Sequence, residues 1–458
     1  MASKPSPRAA GAAAPARAVT PARAVTPARA VTPDRPGDAA GVRRRNLGLV
    51  LRHIAEHGPC ARTEVAAATG LAHGSVTALS SDLVERGLVC EDDAQRGGGR
   101  GRPGRPLRLV PGRALSIAVQ ITSEELRTVV ADLAGAVLWR GVVRHDCAPG
   151  TPEAMADALA AEVRRAQVSG AGPASVGPGQ EARRDDGGGL SEAVLARVVI
   201  AMAGPVCDDA AQTVLVAADF GWLQPVRLGE LVAERLGPGC PVDVINDGNA
   251  AALAEFHARP RPRRGLVLIE AGTGIGGGVV VDGRIHAGSH GIAGEPGHVP
   301  VAWDGPECVC GARGCLVCYA GPEAVFEAAG LGEVARREGV SAASGRLVAA
   351  LEAGEEAATA AVERAGRALA AAVMSISALL DVDEIVLGGT LAQWFPWLLP
   401  SMDRTLAGRR ALAPAMRLDI VPAVLGPDAM LAGAVEFARR AVLSDPSVVP
   451  PMPVRPLR

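Results

Sequence analysis

The period of the apolar positions changes along the chain. Leu47, Val50, Leu51 and Ile54 recur at helical spacing and predict an amphipathic helix. Thr63 reads as the N-cap of a second helix, EVAAAT, which Gly70 stops. Ser75 reads as the cap of a third, carrying Val76, Leu79, Leu83 and Val84 and ending near Gly87. LVCEDD and PLRLVP then predict two short strands around the loop RGGGRGRPGR. From Ala114 onward short apolar runs (SIAVQI, TVVADL, VVIAM, VDVIN, GLVLIE, GGVVV, EIVLGG) alternate with helical stretches and Gly-rich turns, which predicts a layered α/β sheet. Three stretches carry neither period. Residues 1–40 hold the repeat PARAVT, without aromatics and with regular Pro, and are expected to be disordered. Residues 168–190 are expected to form a flexible surface loop, and 444–458 a loose tail.

Composition narrows the function classes. The 458 residues suffice for two or three domains, and a hydrophobic fraction of 48% excludes disorder throughout. Aromatics are only 2%, too few for a base-stacking platform. No run of about 20 apolar residues suggests a membrane span, and the N-terminus lacks the apolar core of a secretory signal. Residues 1–110 hold 17 basic and 9 acidic side chains, a balance of +8; the remainder holds 30 and 40, a balance of −10. A basic head on an acidic body suggests that the head meets an anion such as nucleic acid. The nine cysteines are odd in number, and four fall between 308 and 318. That suits one metal site in a reducing cytoplasm better than a disulfide framework.

The head has the form of a helix-turn-helix: Ala66 is small where two helices cross, Gly70 opens the turn, and Val76 packs the second helix back. The second helix would enter the major groove of double-stranded DNA. The DNA-contacting candidates are Ser75, Val76, Thr77 and Ser80, with His73, Gly74 and Ser81 beside them. Arg100, Arg102 and Arg105 on the Gly-rich loop suit phosphate or minor-groove contact, as in a winged helix.

Further on, GEPGHVPVAWDGPECVCGARGC offers His298, Cys308, Cys310 and Cys315 as a tetrahedral set for one structural Zn2+. Cys318 is a competitor that could replace His298. AGTGIGGG, between two strands, can turn backbone N–H groups and Thr273 Oγ1 toward a phosphate, although a Gly-rich hairpin alone would look the same. Asn246-Asp247 ends the strand VDVIN and precedes the helical GNAAALAEF, a position suited to a general base or to a helix cap.

The ordered series IND-x-NAAALAE, GTGIGGG, GE-x-GH, C-x-C-x4-C and IVLGG resembles the ROK family (repressors, open reading frames, kinases) from about Arg43 to Arg440. The resemblance implies an N-terminal winged helix-turn-helix (41–110) followed by a two-lobed, actin-like, sugar-kinase-like α/β fold. The small lobe would span 111–245 and be closed by a C-terminal helix at 428–443; the large lobe, 246–427, would carry the zinc. The resemblance further implies that Asn246, Asp247, Glu295 and His298 bind a sugar, with Asp247 as the base of a kinase. Gly272, Thr273 and Gly274 would form a phosphate loop, and Gly388 and Gly389 would lie near adenosine. Two departures matter. The kinase loop D-x-G-G-T is replaced here by Gln120, Ile121, Thr122, Ser123 and Glu124, so the glycines that admit a phosphate are absent and ATP is not expected to bind. A sugar-binding Glu of the family is replaced by Val317. The expectation is a cytoplasmic homodimeric or homotetrameric transcriptional regulator, a repressor of sugar-related genes with a sugar or sugar-derivative effector, in which Asp247 is a vestigial base. The alternatives are an active sugar kinase with a DNA-binding head and a regulator controlled by a protein partner.

Overall fold

The computed structural model describes residues 39–92, 105–170, 193–259, 263–412 and 418–453. The expected disorder before residue 39, the loop arginines Arg100 and Arg102, and the expected loop from 171 to 190 lie outside the described residues.

The head begins with helix α1 (Ala39–His57), whose Leu47, Val50, Leu51 and Ile54 are buried. Helix α2 (Arg62–Thr69) starts after Ala61 rather than at Thr63, because the Glu64 carboxylate reaches back and accepts the Ala61 N–H at 2.7 Å. Gly70 adopts φ 70°, the left-handed turn the motif needs. Helix α3 (His73–Glu85) starts after Ala72, so Ser75 lies in its first turn and does not cap it. Strands β1 (Val89–Glu91) and β2 (Leu107–Leu109) pair antiparallel, with Cys90 opposite Arg108.

The first body sheet contains β3 (Ala114–Ile121), β4 (Glu125–Asp132), β5 (Val137–Arg144), β6 (Val194–Met202) and β7 (Val242–Asn246) in the order β5-β4-β3-β6-β7. The first three strands form an antiparallel meander; β6 and β7 continue it in parallel. One face packs on helices α4 (Pro152–Gly170) and α5 (Leu228–Leu236). Helix α4 thus occupies 168–170, where the flexible loop was expected to begin.

Helix α6 (Asp247–Ala258) leads into the second sheet. Its strands are β8 (Gly265–Ala271), β9 (Ile275–Val281), β10 (Arg284–Ile285), β11 (Glu384–Gly389) and β12 (Asp419–Pro422), in the order β10-β9-β8-β11-β12. Short helices α7 (Val317–Ala320), α8 (Pro322–Ala328), α9 (Gly332–Glu338) and α10 (Val340–Glu352) lead to the long α11 (Glu356–Leu380). Helix α12 (Thr390–Leu412) follows β11. Leu347, Val362, Leu369, Trp394 and Leu398 from these helices build the largest apolar core against Val267, Ile269, Ile385 and Leu387 of the sheet.

Helix α13 (Ala429–Ser444) joins the two halves. Its Ala434 and Ala438 pack on Ala118, Val129 and Val199 of the first sheet, while its Ala429 joins the second sheet's cluster. Gly433 lets the backbone of α13 touch that of α6: a Cβ there would lie 1.7 Å from Ala250 O.

Residues 444–453 are not the loose tail expected from their prolines. Val449 is fully buried and joins Val442 and Leu443 in the apolar core of the head. Arg86 Nη1 donates to Val449 O at 2.6 Å, Arg113 Nη2 to Pro450 O at 3.0 Å, and Met452 N to Glu85 O at 2.8 Å. After a 3-10 turn at Pro446–Val448 the chain is extended, and the guanidiniums of Arg86 and Arg113 take the carbonyls that it leaves without internal partners. Among the described residues no helix is long and apolar enough to cross a membrane.

Candidate functional site: a carboxylate cleft, a Cys/His cluster and an exposed head helix

The junction of β7 and α6 brings Asn246 and Asp247 to the cleft between the two sheets. Asn246 Oδ1 accepts the Asn249 N–H at 2.9 Å and so caps α6, while its Nδ2 donates to Gly204 O at 3.0 Å. Asp247 begins the helix, and its Oδ1 accepts the Gly248 N–H at 2.8 Å. Gly248 is needed for this placement, since a Cβ there would meet Gly277 O at 2.2 Å.

Three further carboxyls couple to Asp247. Burial raises the Asp247 pKa, and Asp219 adds to the rise. Burial likewise raises Glu295, although His298 opposes it. Glu270, at the end of β8, is pushed up to about 7 by burial, then by Asp247 and Glu255. Asp219 and Glu270 were not among the sequence candidates. Each is a lone acid beside a turn, and such acids normally face water.

The two Gly-rich positions differ in openness. Thr273 is exposed at the tip of the β8–β9 turn, and the Gly272 N–H is taken by Gly274 O at 3.1 Å. Gly389 holds φ 60° against β8, and a Cβ on Gly388 would lie 3.2 Å from the Glu270 side chain. The turn after β3 is closed. Thr122 Oγ1 accepts the N–H groups of Glu124 at 3.3 Å and Glu125 at 3.0 Å, and the Thr122 N–H donates to Glu125 O. Glu124 points outward and pairs with Arg144 at 3.0 Å.

His298 ends the turn that Glu295 begins, and one donor atom each from His298, Cys308, Cys310 and Cys315 falls within 4.8 Å of the others. Cys308 Sγ lies 3.6 Å from His298 Nδ1, and Cys310 Sγ lies 3.7 Å from Cys315 Sγ. Tetrahedral ligands about 2.3 Å from an ion would stand about 3.7 Å apart, so the donor set fits a thiolate-binding metal. Cys318 Sγ instead lies 3.8 Å from Glu307 O and is not one of the four.

On the head, α3 exposes His73, Gly74, Ser75, Thr77 and Ser81. Val76 and Ser80 are fully buried, so they anchor α3 and do not face DNA, which corrects the expectation for both. Their positions recur on the inner face with Leu79 and Leu83. Arg105 is about two-thirds exposed and lies 3.5 Å from Glu91, which Arg62 also contacts.

Two family models match the chain: the ROK family over residues 190–441 and the IclR helix-turn-helix domain over 47–93. An N-acetylmannosamine kinase of Vibrio cholerae serotype O1 is 34% identical over 196 residues, 42% of this chain; the chain spans only 64% of that relative's length. A xylose repressor of Bacillus spizizenii is 24% identical over 294 residues, 63% of this chain and 69% of the repressor. A solved ROK family transcriptional regulator, a homolog of the E. coli MLC protein, superposes with a TM-score of 0.72 at 23% identity, over 89% of this chain and 99% of its own. The ROK match alone exceeds half of the chain and runs through the cleft and the Cys/His cluster, and the chain is therefore a member of the ROK family with a helix-turn-helix head at its N-terminus.

Proposed function

We propose that this chain is a DNA-binding transcriptional regulator, a repressor of sugar-related genes, whose kinase-like body serves as an effector domain. The observation that carries this reading is the closed turn at Thr122–Glu125. A phosphate loop works by presenting free backbone N–H groups, and here those of Thr122, Glu124 and Glu125 already have partners. We infer that this turn does not serve as a phosphate loop, which would leave ATP only the one at Gly272, Thr273 and Gly274. The cleft is proposed to hold a sugar or sugar derivative through Asn246, Asp247, Glu295 and His298. The protein would act in the cytoplasm as a homodimer or homotetramer on a palindromic operator. Sugar binding would change the relative placement of the two sheets and with it the affinity of the head for DNA.

Sequencing genomic fragments selected by the purified protein tests the reading. A few sites sharing an inverted repeat are expected; only diffuse, salt-sensitive binding would overturn it. On such a site Thr77→Ala or Ser75→Ala should weaken selective binding by about 1–3 kcal/mol. Arg105→Ala should weaken binding to all sequences and lower the salt slope by about 1. Anisotropy titrations at several salt concentrations separate the two effects; an unchanged affinity in all three variants would reject this docking face.

The metal is proposed to be one structural Zn2+ held by His298, Cys308, Cys310 and Cys315. It would supply a closed tetrahedral crosslink that fixes the turn carrying Glu295. Elemental analysis should find about one zinc per chain, lost in Cys315→Ser. A folded protein free of metal would reject the assignment.

A sugar kinase with a DNA-binding head is the second reading, and the retained Asp247 at the start of α6 favours it. ATP turnover with a sugar, abolished by Asp247→Asn, would establish it.

A further inference from the structure

A cavity of about 610 Å³ opens where the head, helix α13 and both sheets meet. It adjoins the sugar cleft at Asn246 but is lined by neither Asp247 nor Glu295. Three guanidiniums line it from three parts of the molecule: Arg52 on α1, Arg284 on β10 and Arg440 on α13. None of the three forms an ion pair among the described residues. Arg52 Nη2 donates to Ser444 Oγ at 3.2 Å, and Arg440 Nη1 meets His257 Nε2 at 2.6 Å. His257 is held neutral, down to about 4, by burial and by Arg440 and Arg439, so it offers a lone pair and no countercharge.

The nearby carboxylates leave this charge standing. Asp282 lines the cavity but faces Arg264 at 3.4 Å, and Asp208 is exposed. Glu436 pairs with Arg439 at 3.0 Å; it and Glu56 act on Arg440 without forming a salt bridge with it. The remaining lining suits a polyol. Asn249 is 5% exposed, and its Oδ1 is buried without a partner. Gln212 is committed to the protein, its Nε2 donating to Asp243 and its Oε1 accepting the Val244 N–H, so beside Asn249 the lining adds the Ser444 hydroxyl, which Arg52 orients, and the aromatic face of Phe437.

Guanidiniums without carboxylate partners recognise phosphate, and amide and hydroxyl groups beside an apolar face recognise a sugar. We propose that this cavity binds a phosphorylated sugar, its phosphate held by Arg284 and Arg440 and covered by Arg52. Because Arg52 belongs to the head, the ligand ties the head to the body. The binding stands independently of the regulatory reading; only its effect on DNA rests on that reading.

The test is calorimetry on the full chain with glucose 6-phosphate, inorganic phosphate and glucose. Glucose 6-phosphate should bind more tightly than inorganic phosphate, and Arg284→Gln and Arg52→Gln should each weaken it about tenfold, the loss of one charge-assisted contact. Both side chains lie at least partly exposed, so these variants keep the fold. Arg346→Gln, on the surface of α10 where it pairs with Glu338, should leave glucose 6-phosphate binding intact. Absence of glucose 6-phosphate binding at millimolar concentration would overturn the proposal. So would affinity that survives both Arg284→Gln and Arg52→Gln, or affinity lost only in Glu295→Gln, which would place the ligand in the cleft. Equal affinity for inorganic phosphate would overturn the sugar assignment. With a selected DNA fragment, glucose 6-phosphate should alter the affinity of the natural chain and not of Arg52→Gln. If no DNA is bound selectively, the regulatory reading fails while the calorimetry still decides the site.

Discussion

Gly433→Ala should be strongly destabilising, by about 3 kcal/mol or more, because the added methyl overpacks a backbone crossing. The Cβ would stand 1.7 Å from Ala250 O and 2.3 Å from Ala250 C, so no rotamer change relieves it. The two helices must separate, and α13 carries contacts to both sheets, so the strain reaches Ala118 and Val199 on one side and Ala429 on the other. For a body of this size, well over 250 residues, the midpoint of thermal unfolding should fall by roughly 4 °C or more. Gly345→Ala is the control. It lies in α10, and nothing stands within 4 Å of its Cβ position. Helix propensity alone should make it more stable by about 0.5–1 kcal/mol. Calorimetric scans of both variants check the pair; equal midpoints would mean that the α6–α13 crossing tolerates separation.

Glu270→Gln should change how stability depends on pH. In the folded chain Glu270 holds its proton up to about 7, against an ordinary value of 4.5. Between those values the folded state binds a proton that the unfolded state has released, so this group lowers stability as pH rises from about 4.5 to 7. Glutamine removes the contribution. The variant should match the natural chain at pH 4 and exceed it at pH 8 by up to about 3 kcal/mol. Asp247 and Glu295 shift in the same direction and remain in both proteins, so the difference between the two chains reports Glu270 together with its coupling to Asp247. Urea midpoints at several pH values measure it. A variant less stable at pH 8 would mean that the Glu270 carboxylate has a favourable partner when charged.

What could be read from the chain follows the range of the interactions. The spacing of Leu47, Val50, Leu51 and Ile54 and the turn at Gly70 are local, and they located the head. The ligand spacing from His298 to Cys315 is also local, and the fold brings those four donors together. Thr63 and Ser75 do not cap their helices, because a carboxylate three residues inside α2, and an uncapped extended residue before α3, set the starts instead. Val76 and Ser80 belong to the stretch expected on DNA, yet their spacing with Leu79 and Leu83 puts them inside. Asp219 and Glu270 are not legible in the sequence because what distinguishes them is the proximity of Asp247, which only the tertiary fold creates. The segment 444–453 reads as solvated by composition. Its partners, Arg86 and Arg113, lie at the other end of the chain.

That long-range closure has a consequence for biosynthesis. Arg86 and Val449 are 363 positions apart, and Val442, Leu443 and Val449 complete the apolar core that α1 and α3 begin. At about 5–20 residues per second, a ribosome needs roughly 20–70 s to travel from one partner to the other. Through that interval the helices of the head have left the tunnel with an unfinished core, and Leu47 and Val50 await their cover. The segment of the head made first is thus among the last to finish folding, and its completion marks a chain translated through Val449.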